Sequence, residues 1–506
     1  MKIKSVFRIL SAFTVISMLL SGCSNDDDTE TRTETAAEEE KIVLSLPGSA
    51  ISDACIAVRD GTVSNEIRGV WIASVYNINF PSAPDLSEDE LKSELDEIVK
   101  NVEENGLNTV YFQVHPSSDA LYRSDIFPVS TYLYSDGVLH FDPLEYMAEV
   151  CDEKGISLYA WVNPLRITVD KAKTAEDARN SLPESSPGRI EDLTVFYGDG
   201  KLYLNCGSER VRELVADTVD EIISGYNVDG IVFDDYFYPY PKNDANGNPY
   251  VFDDKDEYSA ANTELSLDDW RRDNVNKLIK QCYDRVKAYN PDKKFGVAPF
   301  GIWQNNDGLN GGSDTTGMEA YSALYCDAAA WIKGGYIDFV SPQLYWECTN
   351  TAAPFGELAR FWNSLTEGTG VDLIVSHGIY RYDNDWKNPS GELIKQVDIT
   401  RELSSYAGSM LYGYAVLESN TSGASDDTRE VFGCETYIYS SGKSEIESVI
   451  FSGYSDSGKT ITVNGIPISM GHNGYFECEL SLAPGTNKYT FANGTDSTTM
   501  IFIKKN

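Results

Sequence analysis

Histidine is scarce in this chain: 506 residues contain four. No His-x-His pair occurs, none of the cysteines forms a Cys-x-x-Cys pair, and the first candidate strand, 68–74, carries neither histidine nor carboxylate. These gaps argue against a zinc hydrolase and a structural zinc site, although His115, Asp234, Asp235 and His377 are of metal-binding type. No metal and no cofactor is therefore expected. A glycine-rich phosphate loop of the Walker type is also missing, which leaves nucleotide chemistry unsupported. Positive charge is short too: 41 Lys and Arg against 79 Asp and Glu leave a net charge of −38. That excess argues against nucleic acid or anionic lipid as a general partner and fits a soluble, extracytoplasmic surface. The apolar run 9–20 is too short to span a membrane as a mature helix.

That run follows Lys2, Lys4 and Arg8 and ends in Leu20-Ser-Gly-Cys23. The ending resembles a bacterial lipobox, implying export, removal of a signal peptide over 1–22 and lipid attachment at Cys23. An extracytoplasmic lipoprotein held to a membrane, at the cell surface or in a periplasm, is the expectation. Residues 23–40, with Asp26 to Asp28 and Glu38 to Glu40, lack periodicity and read as an acidic tether. Eight further cysteines permit disulfides without fixing their connectivity; Cys151 and Cys282 fall on apolar helix faces and read as core.

From residue 68 onward, apolar runs alternate with amphipathic helical patterns. Strands are predicted at 69–74, 109–115, 157–163, 230–234, 295–300, 339–345, 373–377 and 410–416. Helices are predicted at 88–104, 143–153, 208–224, 268–289, 327–333, 355–366 and 391–403. Eight strands joined through helices favour an α/β fold, a (β/α)8 TIM barrel over 41–435, against a doubly wound open sheet. Residues 41–66 are ambiguous and are a candidate edge strand packed on the barrel. Helix-to-strand links are brief, whereas strand-to-helix links are long at 116–142, 164–207, 239–267 and 301–326. The long links build the C-terminal face, where barrel active sites sit. Beyond residue 440, Asn-Gly and Pro-Gly turns punctuate short alternating runs, so 440–506 reads as a small all-β, immunoglobulin-like sandwich.

Asp234 and Asp235 stand where the buried run 231–233 surfaces, and Tyr236, Phe237 and Tyr238 follow. Acid at a core edge is costly unless paired or used. A helix cap in a solvated loop is the plain alternative. Carboxylates beside aromatic rings suit a sugar cleft, acids for proton transfer and rings for stacking. Gln113, His115, Asn163, Trp303, Gln343, Tyr345, Trp346, Glu347, His377, Tyr380, Arg381 and Glu418 fall at or just past the other strand ends. Such amides, rings and acids suit a polyhydroxylated ligand.

The segments Arg68-Gly-Val-Trp-Ile72, Gln113-Val-His-Pro-Ser-Ser-Asp-Ala-Leu-Tyr122, Trp161-Val-Asn-Pro164, Tyr203-Leu-Asn205, 229–239, Ala298-Pro-Phe-Gly-Ile-Trp303 and 336–346 together resemble glycosyl-hydrolase-like family 10. The resemblance spans roughly 66–420. It implies a barrel acting on peptidoglycan glycan strands, with members resembling a hydrolase of peptide-free glycan. His115 stands where the family pattern has Arg, and Cys206 where it has Pro. Glycoside hydrolysis commonly uses two carboxylates about 5–9.5 Å apart. Neighbouring strand side chains diverge, so the doublet needs either a distant acid, Glu347 or Glu418, or a nucleophile from the substrate. In the second scheme the 2-acetamido oxygen attacks, Asp234 orients the acetamide and Asp235 is the acid/base. Arg123, Arg166 and Arg381 are candidates for muramic lactyl carboxylates. A glycan-binding lipoprotein without catalysis is the competing expectation.

Overall fold

The structure is a computed structural model. It describes residues 43–45, 56–60 and 66–504, except 384–385, 387–388, 390, 433–435, 446–447, 456–459, 471–474, 484 and 495–496. The signal peptide, Cys23 and the acidic tether lie outside the described residues.

Among the described residues, eight parallel strands close a barrel. They are β1 (Ile67–Ile72), β2 (Thr109–His115), β3 (Ser157–Val162), β4 (Gly230–Phe233), β5 (Lys294–Val297), β6 (Phe339–Val340), β7 (Asp372–His377) and β8 (Tyr406–Leu411). Alternation along each strand sends one set of residues inward and the other against the helices. The inward set is aromatic: Trp71 meets Tyr111 edge-on at 4.6 Å and Trp161 at 4.9 Å, while Tyr111 meets Tyr159 at 5.2 Å. Val232, Ile374 and Met410 complete this buried interior. Room for such rings comes from glycines; a Cβ on Gly296 would lie 2.2 Å from Phe339.

The main surrounding helices are α1 (Glu88–Glu104), α2 (Pro143–Lys154), α3 (Glu209–Gly225), α4 (Leu267–Tyr289), α5 (Ala328–Gly334), α6 (Phe355–Thr366), α7 (Glu392–Arg401) and α8 (Ala424–Phe432). Their starts are written locally. Ser87 and Glu90 form a reciprocal capping box on α1, and Asp142 caps α2 ahead of Pro143. Leu91, Leu95, Ile98, Val99 and Val102 then give α1 its buried stripe.

Strand boundaries differ from expectation where proline or polarity intervenes. β6 ends at Val340 instead of continuing to 345, and β5 ends at Val297, because Pro342 and Pro299 lack the amide a ladder needs. β8 is shifted to Tyr406–Leu411, since Gly413 starts a short helix, Tyr414–Glu418, inside the predicted 410–416.

The C-terminal residues form two sheets sharing a core of Ile461, Val463, Phe476, Leu480, Leu482 and Phe491. Val43–Ser45 pairs antiparallel with Ser497–Lys504, and Ile56–Asp60 pairs parallel with Thr436–Glu445. The ambiguous stretch 41–66 thus contributes strands to these sheets, and the first barrel strand starts at Ile67. At the barrel's own ends, Glu66 is fully buried and takes two hydrogen bonds from Arg401, while Arg68 donates to the Phe432 carbonyl.

Candidate active site

Strand register explains how the doublet meets its partners. Trp161 aligns with Val232, and Val162 with Phe233, so Asn163 and Asp234 emerge side by side above the inward layer. Asp234 accepts hydrogen bonds from Trp161 Nε1 at 3.1 Å and from Asn163 Nδ2 at 2.8 and 3.1 Å, and the Tyr236 amide points at it from 3.3 Å. Asn163 also accepts the Arg166 amide through Oδ1. The Arg166 guanidinium is held by the Pro116 carbonyl at 2.7 Å and lies 4.9 Å over the Tyr236 ring.

Asp235 occupies the opposite strand phase and a different environment. It accepts from the Tyr240 hydroxyl, and Gln343 also donates to it while bonding the Ala298 carbonyl at 2.9 Å. Both carboxylates are buried, at 4% and 2% exposure. Burial raises both acids, but not alike. Arg166 and the donors from Trp161, Tyr236 and Asn163 pull Asp234 back, whereas Asp235, burdened by burial and then by the Asp234 charge, is pushed up to about 7. The two environments thus differ: a cation and three donors oppose the burial of Asp234, while a like charge adds to that of Asp235.

Aromatic rings surround the pair. Tyr345 stacks on Tyr412 at 5.7 Å, and Tyr380 meets both edge-on. The charges of Asp234 and Asp235 reach Tyr345 and Tyr412. Arg381 lies 5.2 Å over Tyr380. Trp346 packs edge-on against Phe300, and Phe300 against Tyr240, forming a rim on the Asp235 side.

Other expected residues lie elsewhere. His377 is fully buried between Gln396 and Ser409, each 2.9 Å away, and stacks on Phe355; burial lowers it to about 4. Its phase opposes that of inward-facing Ile374, so it points into the helical layer. Tyr238 turns away into a cluster with Phe252 and Tyr325, and Trp303 stacks on Phe361 of α6. Gln113 accepts the Ser74 and Val75 amides, holding the loop after β1. His115 packs on Phe127 and is lowered to about 4 by burial.

The two distant acids stand in different settings. Glu347 sits half-buried in a turn whose carbonyl accepts the Asn350 amide. Glu418 is exposed and bonded by Tyr414, whose hydroxyl also meets Asn101 of α1. Arg123 is exposed, with its amide tied to Asp142 and Tyr226. Among the described residues no group of three or more His, Cys, Asp or Glu is arranged to hold a metal ion.

Tyr240 and Tyr412 went unnoticed in the sequence. Tyr412 had a signal, since it continues the inward phase of Met410. Tyr240 had none, because loop routing alone turns it back onto Asp235.

A closed parallel barrel with paired acids and sugar-sized aromatic faces at the strand ends is a barrel of glycoside-hydrolase type. Residues 66–388 match the family described as Glycosyl hydrolase-like 10, and the chain belongs to that family. Glycosyl hydrolase YngK of Bacillus subtilis (strain 168) is 35% identical over 371 residues, covering 71% of this chain and 70% of its own. Glycosyl hydrolase DigH of Escherichia coli (strain K12) is 30% identical over 371 residues, covering 69% and 83%. The glycoside hydrolase domain of PgaB (BpsB) from Bordetella bronchiseptica aligns with 72% of this chain and 99% of its own at 13% identity, with a TM-score of 0.49.

Proposed function

We propose that this protein hydrolyses N-acetylhexosamine-containing glycan, namely peptidoglycan strands freed of their peptides, with the substrate's acetamido group as nucleophile. The observation that carries the reading is the unequal environment of the doublet. Asp234 has donors arranged for an anion, and Asp235 holds a proton near neutral pH. In this mechanism Asp235 protonates the glycosidic oxygen as the acetamido carbonyl oxygen attacks the anomeric carbon. The leaving sugar departs with that proton, and a cyclic oxazolinium forms. Asp234 accepts the acetamide N–H and stabilises the positive charge developing there. Asp235, now ionised, takes a proton from water, which opens the ring and leaves the anomeric configuration retained. Arg166, beside Asp234, is the cation available for a lactyl carboxylate.

Within the same proposal the protein is exported and anchored through a lipid on Cys23, so that the barrel works outside the cytoplasm on a polysaccharide partner.

The test compares native glycan strands with de-N-acetylated ones, counting new reducing ends. Native strands should be cut, Asp235→Asn should lower the rate about 10²–10⁴-fold, and de-N-acetylated strands should resist. Equal cleavage of both substrates by the wild type would sink substrate assistance. Saturable binding with no new reducing ends would establish the non-catalytic binder instead.

A further inference from the structure

The strand-to-helix loops after β2 and β3 form a groove of about 480 Å³, and the chemistry at Asp234 and Asp235 makes no use of it. Its volume lies within the roughly 300–1,000 Å³ common for small-ligand clefts. The inner end adjoins the clasp between Arg166 and the Pro116 carbonyl, because Ser117, Ser118, Ile167 and Thr168 follow directly and line the groove. The groove is thus built by the same two loops that carry Arg166 to Asp234.

The lining mixes two chemistries. Val129, Ile167 and Leu182 supply apolar surface, while Ser118, Thr131 and Thr168 supply hydroxyls. Ser118 is buried to 2% exposure, and its hydroxyl has no partner among the described residues. Lys171 and Lys173 partly offset Asp119, Asp170 and Asp177, so acids outnumber bases here by three to two, against 79 to 41 in the chain as a whole.

A ring pair stands at the rim. Tyr76, in the loop after β1, bonds Asp170 of the groove wall at 3.3 Å, and its ring lies 6.1 Å from that of Tyr132, another lining residue. Tyr76 is 53% exposed and has a left-handed backbone, φ 56°, as does Asn77 at 53°. Two successive non-glycine residues in that region are unfavourable, and an aromatic side chain left half-exposed there recovers only part of what burial would give. The arrangement is fastened by Asn77 Nδ2, which donates to the Pro81 and Tyr132 carbonyls. The fold thus spends backbone strain on presenting a phenol ring to solvent.

We propose that this groove, with the Tyr76–Tyr132 pair at its rim, is a subsite for the part of a glycan strand extending beyond the bond cut at the doublet. A pyranose presents an apolar C–H face and a hydroxyl edge, which match the ring pair and the serine and threonine hydroxyls. The inference rests on the glycan reading above and adds a length requirement to it: the enzyme grips several sugars at once.

The experiment measures binding by calorimetry in the Asp235→Asn protein, using peptide-free strands of two lengths, one too short to leave the doublet. Tyr76→Ala, added to that background, should weaken the long strand about five- to tenfold and bring the long-to-short affinity ratio toward one. Tyr132→Ala should act in the same direction. An unchanged ratio in both variants, with wild-type hydrolysis intact, overturns the groove alone. Binding of neither length overturns the groove and the glycan reading together. A wild type that releases no reducing ends while the ratio falls overturns hydrolysis and upholds the groove.

Discussion

Asp235 keeps a proton because two neighbours make its charge expensive: the surrounding protein, which excludes water, and the Asp234 carboxylate, whose own burial is only partly offset by Arg166 and its donors. Its ordinary value is near 4. The folded protein therefore holds a proton that the unfolded chain releases between about pH 4 and 7, and this group makes stability fall across that window. Asp235→Asn should consequently melt above the wild type at pH 8, with the advantage gone below pH 4; calorimetric scans at both pH values check this. Activity should decline as pH rises through about 7, where the acid is lost. The Tyr240 hydroxyl favours the ionised form, so Tyr240→Phe should raise Asp235 further. The alkaline limb of the pH–rate profile should then move up by about half a unit to one unit. At this scale the sequence was informative where a residue ends a strand in a readable phase. Asp234 and Asn163 continue the inward phase of Val232 and Trp161, and Asp235 is legible only as the second acid of the doublet. His377 misled because its position in the chain suits the mouth while its phase points outward. Tyr240 depends on a loop's path through space, and no local pattern encodes that path.

Elements were legible where capping and periodicity coincide, as in α1 and α2, and less so where the strand signal runs past its hydrogen bonds, as in β6 and β8. The long loop between β4 and α4 shows what secondary-structure reading leaves out. It is pinned by Asp254, fully buried, which takes two charged hydrogen bonds from Arg271 of α4 at 2.6 and 2.8 Å. Phe252 and Tyr238 pack beside that pair, and Tyr240 lies two residues further along. Arg271→Met leaves a buried carboxylate without its cation, which should cost about 3–5 kcal/mol. Because the same loop carries Tyr240, the variant should also lose activity on glycan below its melting temperature. Urea unfolding followed in parallel with reducing-end release measures both effects.

At the scale of the molecule, the barrel closes on itself, and the sandwich is assembled from segments on either side of it in the chain. The Glu66–Arg401 pair and the Arg68 contact with Phe432 fasten its first and last segments to each other. A fragment spanning 66–432 should therefore fold and keep the hydrolytic activity proposed here, which circular dichroism and the reducing-end assay would show. The sandwich has the reverse character. Val43–Ser45, near one end of the chain, waits for Ser497–Lys504 at the other. During synthesis the barrel can be complete while Val43–Ser45 of the sandwich still has an open edge, since its partner Ser497–Lys504 follows the barrel's last helix, Ala424–Phe432, in the chain. The sandwich thus acts as a latch that shuts only once Ser497–Lys504 is present, and a product truncated near residue 490 keeps a finished barrel but advertises its incompleteness through the unpaired Val43–Ser45.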